Sequence, residues 1–398
     1  MKLIGLTGLI SIAGLVACSS DYEEERSWQE LPLIEATLSA PQFQQEEERA
    51  TRSWVPPTSY LLYDDLYESG VHFTSLTDKA IDVFFTTTTE ATLHGRLRYS
   101  SSQGIWKFAT PPGIDPTTIT SGDYYAYGFI PREAAEEATL SLLDGKSSFD
   151  DGAVLTIKGL ESVAADACVI IGAKEGPDAD HDGGLRAGDF QFHLDTGKSI
   201  VDGEEVINKN YLYFLFDHLC SALCVSMKVD GEYDALRTIK LKQLYLQTKD
   251  AGGIMKKKTD VRITLEKNGT GANPITGITF TPTGTEECYG QVFEDLNGLQ
   301  LTTSYSMFMG HFMPYGVTDI VLTSIYDIYD KKATPEHPEG NLIRQNCSAT
   351  NTIALEDVFA SFDLARRGWR YNLNITIEPT YLYVLSEPDL DSPTMKVE

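Results

Sequence analysis

Two groups of residues in this chain have the type and spacing to hold a metal. In "PDADHDGGLRAGD", Asp178, Asp180, Asp182 and Gly183 follow the spacing of a calcium loop, and Asp189 falls at the twelfth place. Hard carboxylate oxygens at alternate positions can wrap a calcium ion. Against this, the closing residue is Asp rather than a bidentate Glu, and the flanks read as strands. A solvated acidic turn has the same composition, so both readings stand. His218, Cys220 and Cys224 form the second group. On one strand they share parity and can face the same way, so a ligand from a neighbouring strand would complete a zinc site. Core packing competes, because cysteine is among the most buried residue types. The balance favours no metal and no cofactor. No GxSxG elbow, HExxH pair or phosphate-binding loop occurs, so no enzyme is expected.

A third reactive residue lies at the start, in "MKLIGLTGLISIAGLVACSSDYEEE". Lys2 precedes an apolar run from Leu3 to Val16, and Cys18 follows Leu15-Val16-Ala17. A charged start, a short apolar run and small residues at the cut describe a secretory signal peptide over residues 1–17. The run is too short and too Gly-rich for a good transmembrane helix. "LVAC" resembles a bacterial lipobox. That likeness implies cleavage and lipidation at Cys18, which would hold a soluble body to a membrane without spanning it.

Composition narrows the classes further. The chain has 398 residues, enough for two domains, and is 42% hydrophobic. Its net charge of −26 repels phosphate backbones and anionic lipid, so nucleic acid is excluded as a partner. Six cysteines less Cys18 leave an odd number, which is not a dense disulfide framework.

The elements that position these residues are strands. Residues 18–52 are acidic and polar around "LIEATLSA", where Ile34, Ala36, Leu38 and Ala40 alternate with Glu35, Thr37 and Ser39. A period of two marks a half-buried strand. Beyond residue 52, "AIDVFFTTTT", "GRLRYSS", "GIWKFAT", "DYYAYGFIP", "AVLTIKGL" and "ACVIIGAK" are short runs of β-branched and aromatic residues between turn signals. "PREAAEEATLSLLDG" is the exception, predicted as a short helix opened by Pro131 and closed by Gly145. The polar span "DTGKSIVDGEEVINKN" divides a domain over 53–207 from one over 208–398. The second half opens with "YLYFLFDHLCSALCVSMKV", read as one central strand or as two joined by a bend near Asp217-His218. Near the end, Tyr371, Leu373, Ile375 and Ile377 alternate with Asn372, Asn374, Thr376 and Glu378. Many strands and almost no helix predict an all-β chain of two tandem β-sandwiches.

A lipobox, a detached strand, "ERATR" and two β-rich halves bearing "DYYAYGFIP", "FDHLCSALCVSMKV" and "RRGWRYNLNITIE" together resemble the fimbrillin family of Bacteroidales, the pilus subunits built from lipoprotein precursors. The resemblance covers most of the chain. It implies export to the outer membrane and cell surface, followed by cleavage after an arginine, here Arg49 or Arg52, by a trypsin-like protease. Loss of the first strand, with Ile34, Ala36, Leu38 and Ala40, then opens a groove that a strand of another fimbrial subunit fills. Main-chain hydrogen bonds and side-chain pockets supply the affinity. The clean alternation of Tyr371, Leu373, Ile375 and Ile377 makes that segment the donor-strand candidate. The acidic "SSDYEEE" resembles the surface-export signals of lipoproteins from such bacteria. A surface lipoprotein that binds glycans through tyrosines is the alternative.

Overall fold

The computed structural model describes residues 28–39, 44–45, 78–111, 119–163, 166–175, 187–267, 273–288, 292–293, 296, 298–331, 335–336, 340–359, 366–381 and 388–397. The fold is all-β. Its first sheet runs through β1 (Gln29–Ser39), β3 (Ala80–Thr86), β4 (Ala91–Ser100), β5 (Ile105–Thr110), β6 (Gly122–Ile130), β9 (Cys168–Glu175) and β13 (Asn210–His218). The spatial order is β6-β3-β4-β5-β1-β13-β9, and β9 pairs back onto β6. Seven strands therefore close a barrel, where a sandwich was predicted. Alternation reveals which face of a strand is buried, but not whether the two edges of its sheet meet. The closing seam is short, with Phe129 opposite Val169 and Ile130 opposite Cys168. A further strand, β10 (Gln191–Leu194), extends β6 outside the ring.

The barrel is filled from all sides by Val83, Phe85, Leu97, Trp106, Phe108 and Phe214 among others. Its outer wall is covered in part by a four-stranded sheet of β7 (Glu137–Leu142), β8 (Gly152–Glu161), β17 (Lys256–Glu266) and β18 (Ile275–Glu287), in the order β18-β17-β8-β7. Tyr127, Phe129 and Leu215 of the barrel pack there against Leu155, Ile157 and Ile263. This explains why "YLYFLF" is apolar on both faces: β13 is buried from inside and outside. The predicted helix in "PREAAEEATLSLLDG" is instead a single 3₁₀ turn, Arg132–Ala134, followed by β7. A lone short helix has a costly nucleus, whereas β8 offers β7 a ready ladder from Lys158 to Ala153.

The second core lies between two more sheets. One contains β2 (Gln44–Gln45), β14 (Ser221–Val229), β21 (Ser306–Phe312), β24 (Trp369–Tyr381) and β25 (Pro388–Val397). The other contains β15 (Arg237–Asp250), β16 (Gly253–Ile254), β19 (Val292–Phe293), β20 (Leu299–Leu301), β22 (Asp319–Asp330) and β23 (Leu342–Ala354). Leu223, Val225, Phe308 and Leu373 from the first meet Ile239, Leu241, Leu244 and Leu322 from the second. Two one-turn helices, α1 (Gly231–Asp234) and α2 (Leu355–Val358), a second 3₁₀ turn at Phe149–Asp151, and a hairpin of β11 (Lys198–Val201) and β12 (Glu204–Ile207) in the polar span complete the described elements. Four described strand pairings cross the 207/208 division: β1 and β9 with β13, β8 with β17, and β2 with β24.

Candidate functional site

β1 occupies a slot rather than an edge. On one side it runs parallel to β13, from Ile34 opposite Asn210 to Ser39 opposite Leu215. On the other it runs antiparallel to β5, from Gln29 opposite Thr110 to Ala36 opposite Trp106, with an irregularity between Glu30 and Glu35. Both of its hydrogen-bonding edges are therefore taken. It is also the first described strand, and a cut between residues 45 and 78 would separate it, with β2, from every other described strand.

Side chains fix its register. Ile34 and Ala36 point into the barrel core and are almost fully buried. Glu35, between them, is buried on the opposite face and accepts a hydrogen bond from Lys209 Nζ at 2.7 Å. That bond holds the Lys209 ammonium above its ordinary value. A one-residue slip would drive the Glu35 carboxylate into the core, so the register is strongly specified. Just before the strand, the Arg96 guanidinium stands 4.4 Å from the centre of the Trp28 ring. Leu38 pairs through its backbone with Phe214. Ala40, Cys18, Arg49 and Arg52 lie outside the described residues, as do Asp178, Asp180 and Asp182.

Chemically, the slot is a receptor for an extended chain. Without β1, β5 and β13 would present unpaired N–H and C=O groups over a gap in the barrel core. Burying one Ile side chain stabilises by about 1.5–3 kcal/mol, and each backbone hydrogen bond adds about 0.5–1.5 kcal/mol net. The same amino-terminal segment also reaches the second core, where Gln44 and Gln45 of β2 run parallel to Trp369 and Arg370 of β24.

The residues singled out near the end belong to a different environment. Tyr371, Leu373, Ile375 and Ile377 are all buried in the second core. Their strand, β24, pairs with β14 along one edge and with β2 and β25 along the other. Their alternation is that of a strand seated in its own sheet. β25, the last described strand, pairs with β24 alone among the described strands.

Where the barrel hands over to the second core, a polar cluster is sealed inside. The chain bends at Leu219-Cys220 between β13 and β14, so the shared parity of His218, Cys220 and Cys224 does not survive. Cys224 continues into β14, opposite Met309 and Asn372. His218 and Cys220 meet Asp166 instead, with Nδ1 of His218 2.7 Å and Sγ of Cys220 3.2 Å from Asp166 Oδ1. Cys168 Sγ is 3.4 Å from the same oxygen. Burial works to raise the Asp166 carboxyl, but His218, His311 and the Cys220 thiol outweigh it and hold it at about 2. Burial, and then the Asp166 charge, push the Cys220 thiol well up.

Around this cluster the two conspicuous sequence motifs dock onto each other. Arg367 of "RRGW" donates to Asp217 Oδ2 at 2.6 Å and to the His218 carbonyl at 2.7 Å. Gly368 N–H donates to the Cys220 carbonyl, and Ser221 Oγ to the Arg366 carbonyl. None of the five described cysteines is in a disulfide.

No family model matches the chain, and no curated protein matches it. Among solved structures it is similar to a candidate cell adhesion protein from Bacteroides uniformis, at 16% identity and TM-score 0.34, over 92% of this chain and 97% of that one. It is similar to a fimbrial protein from Bacteroides vulgatus at 12% identity and TM-score 0.31, over 80% of this chain and 91% of that one. A third is the fimbrial anchor protein Mfa2 from Porphyromonas gingivalis, at 8% identity and TM-score 0.25, over 92% of this chain and 96% of that one. At such identities and scores, function does not transfer.

Proposed function

We propose that this chain is a fimbrial subunit that supports adhesion at the bacterial surface. It is exported as a lipoprotein precursor held to the outer membrane through Cys18, trimmed after Arg49 or Arg52, and assembled by β-strand donation. The observation that carries this reading is the position of β1. It is the first described strand, lies upstream of both arginines, and fills a two-sided slot in the barrel.

The precursor strand guards the slot until assembly, because open strand edges invite uncontrolled pairing. An incoming strand that takes the register of β1 runs parallel to β13 and antiparallel to β5. The donor is drawn from the carboxy-terminal end of the neighbouring subunit. With Tyr371, Leu373, Ile375 and Ile377 built into the second core, β25 is the segment available for exchange. The glycan-binding alternative gains little from the tyrosines of "DYYAYGFIP". Tyr124, Tyr125 and Tyr127 are buried, so none offers a ring face to a sugar.

Treating the purified precursor with a trypsin-like protease tests the proposal. Cleavage at Arg49 or Arg52 should give a ladder of oligomers on a native gel, and a double Arg49→Ala, Arg52→Ala protein should stay monomeric. A cut protein that remains a stable monomer, with or without partner subunits, would overturn it.

A further inference from the structure

The geometry points to a zinc site formed by Asp166, Cys168, His218 and Cys220, at the seam where the barrel closes. Donor atoms of Asp166, His218 and Cys220 lie within 4.8 Å of one another, and Cys168 Sγ approaches two of them. Asp166 Oδ1 is 2.7 Å from His218 Nδ1, 3.2 Å from Cys220 Sγ and 3.4 Å from Cys168 Sγ, and Cys168 Sγ is 3.5 Å from His218 Nδ1. Zinc bonds of about 2.0–2.3 Å set tetrahedral edges of about 3.3–3.8 Å. The 3.4 and 3.5 Å separations match these edges, the 3.2 Å one is slightly shorter, and the 2.7 Å Asp166–His218 hydrogen bond is shorter still. Small side-chain rotations would open the cage to size.

Donor chemistry selects the metal. Two sulfurs, one imidazole nitrogen and one carboxylate oxygen suit zinc, whereas calcium and magnesium require oxygen. All four residues are at most 1% exposed. A structural zinc site has this closed character, with no position left for water. The second carboxylate oxygen, Asp166 Oδ2, is buried without a hydrogen-bond partner. Such an orphan acceptor is costly in a core, and a cation beside the carboxylate would compensate it. Zinc would displace one proton from each thiol and the proton that His218 Nδ1 shares with Asp166 Oδ1, and the carboxylate would bind as it stands.

The site would work as a staple. Cys168 begins β9 directly opposite Ile130 of β6, at the two-pair seam. His218 ends β13, and Cys220 leads into β14 of the second core. One ion would thus tie the closing strands of the barrel to the bend that leads out of it. This inference does not depend on strand donation.

Cobalt titration of the full chain, stripped of metal under reducing conditions, tests it. One equivalent should bind, give a thiolate-to-cobalt charge-transfer band, and be displaced by zinc. The band should be lost in Cys168→Ser and Cys220→Ser proteins and kept in Cys224→Ser and Cys347→Ser controls. If the first two variants fail to fold, the wild-type stoichiometry and the band still decide. Wild-type protein that binds neither cobalt nor zinc would overturn the site. So would native protein whose mass shows Cys168 and Cys220 joined by a disulfide, or binding unchanged when both are replaced.

Discussion

Single residues hold β1 in the barrel and "RRGW" at the bend after β13. Ile34 fills the barrel core from the strand proposed to leave, with Leu97, Trp106 and Phe214 in the same cluster. Ile34→Ala in the uncut precursor should cost about 2–5 kcal/mol by urea denaturation, the range for truncating a buried Ile. A loss below about 0.5 kcal/mol would mean that β1 is only loosely seated. Arg367 acts at the other end, where its guanidinium meets Asp217 and the His218 carbonyl. Among the described residues, Asp217 would keep the Asn273 amide, 2.6 Å away, if Arg367 were replaced by Met. That change should cost about 1–3 kcal/mol, since a nearly buried carboxylate loses its charged donor. An unchanged urea midpoint would show that "RRGW" docks there without stabilising the bend.

Elements carry the next set of consequences. The barrel depends on β3 and β6 lying close at Gly128, where an added Cβ would stand 2.1 Å from the Asp82 carbonyl oxygen. Gly128→Ala should therefore destabilise by about 1–3 kcal/mol or more through overpacking of backbone against backbone, read as a lowered melting temperature. A neutral substitution would show that the sheet can spread at no cost. The sequence reveals strands better than it reveals their partners. The alternation of Ile34, Ala36 and Leu38 is local and readable, and so is that of Tyr371 to Ile377. The parallel pairing of Ile34 with Asn210 is not, because nothing in either segment names a partner so distant in the chain. The same limit hid half of the polar cluster. His218 and Cys220 could be noticed together, but Asp166 and Cys168 arrive by folding, and Cys224 leaves because the chain bends at residues 219–220. Residues 131–145 misled for another reason: their alanines and glutamates favour helix locally, while β8 supplies a stronger tertiary alternative.

At the scale of the whole molecule, the amino-terminal segment touches both halves, through β1 in the barrel and β2 on β24. Losing it should leave the rest folded yet weakened, because ordinary domains hold a margin of only about 5–15 kcal/mol. Strand donation would then restore the missing ladder and drive assembly. The central claim is that the space between β5 and β13 opens on trimming and is refilled by another subunit. Amide hydrogen exchange across residues 105–110 and 210–215 reads that space directly. It would be followed in the uncut precursor, in cut protein freed of its amino-terminal segment, and in assembled polymer. Protection should be strong in the first, lost in the second and regained in the third. Protection that persists after the segment is gone, or fails to return in polymer, would contradict the claim.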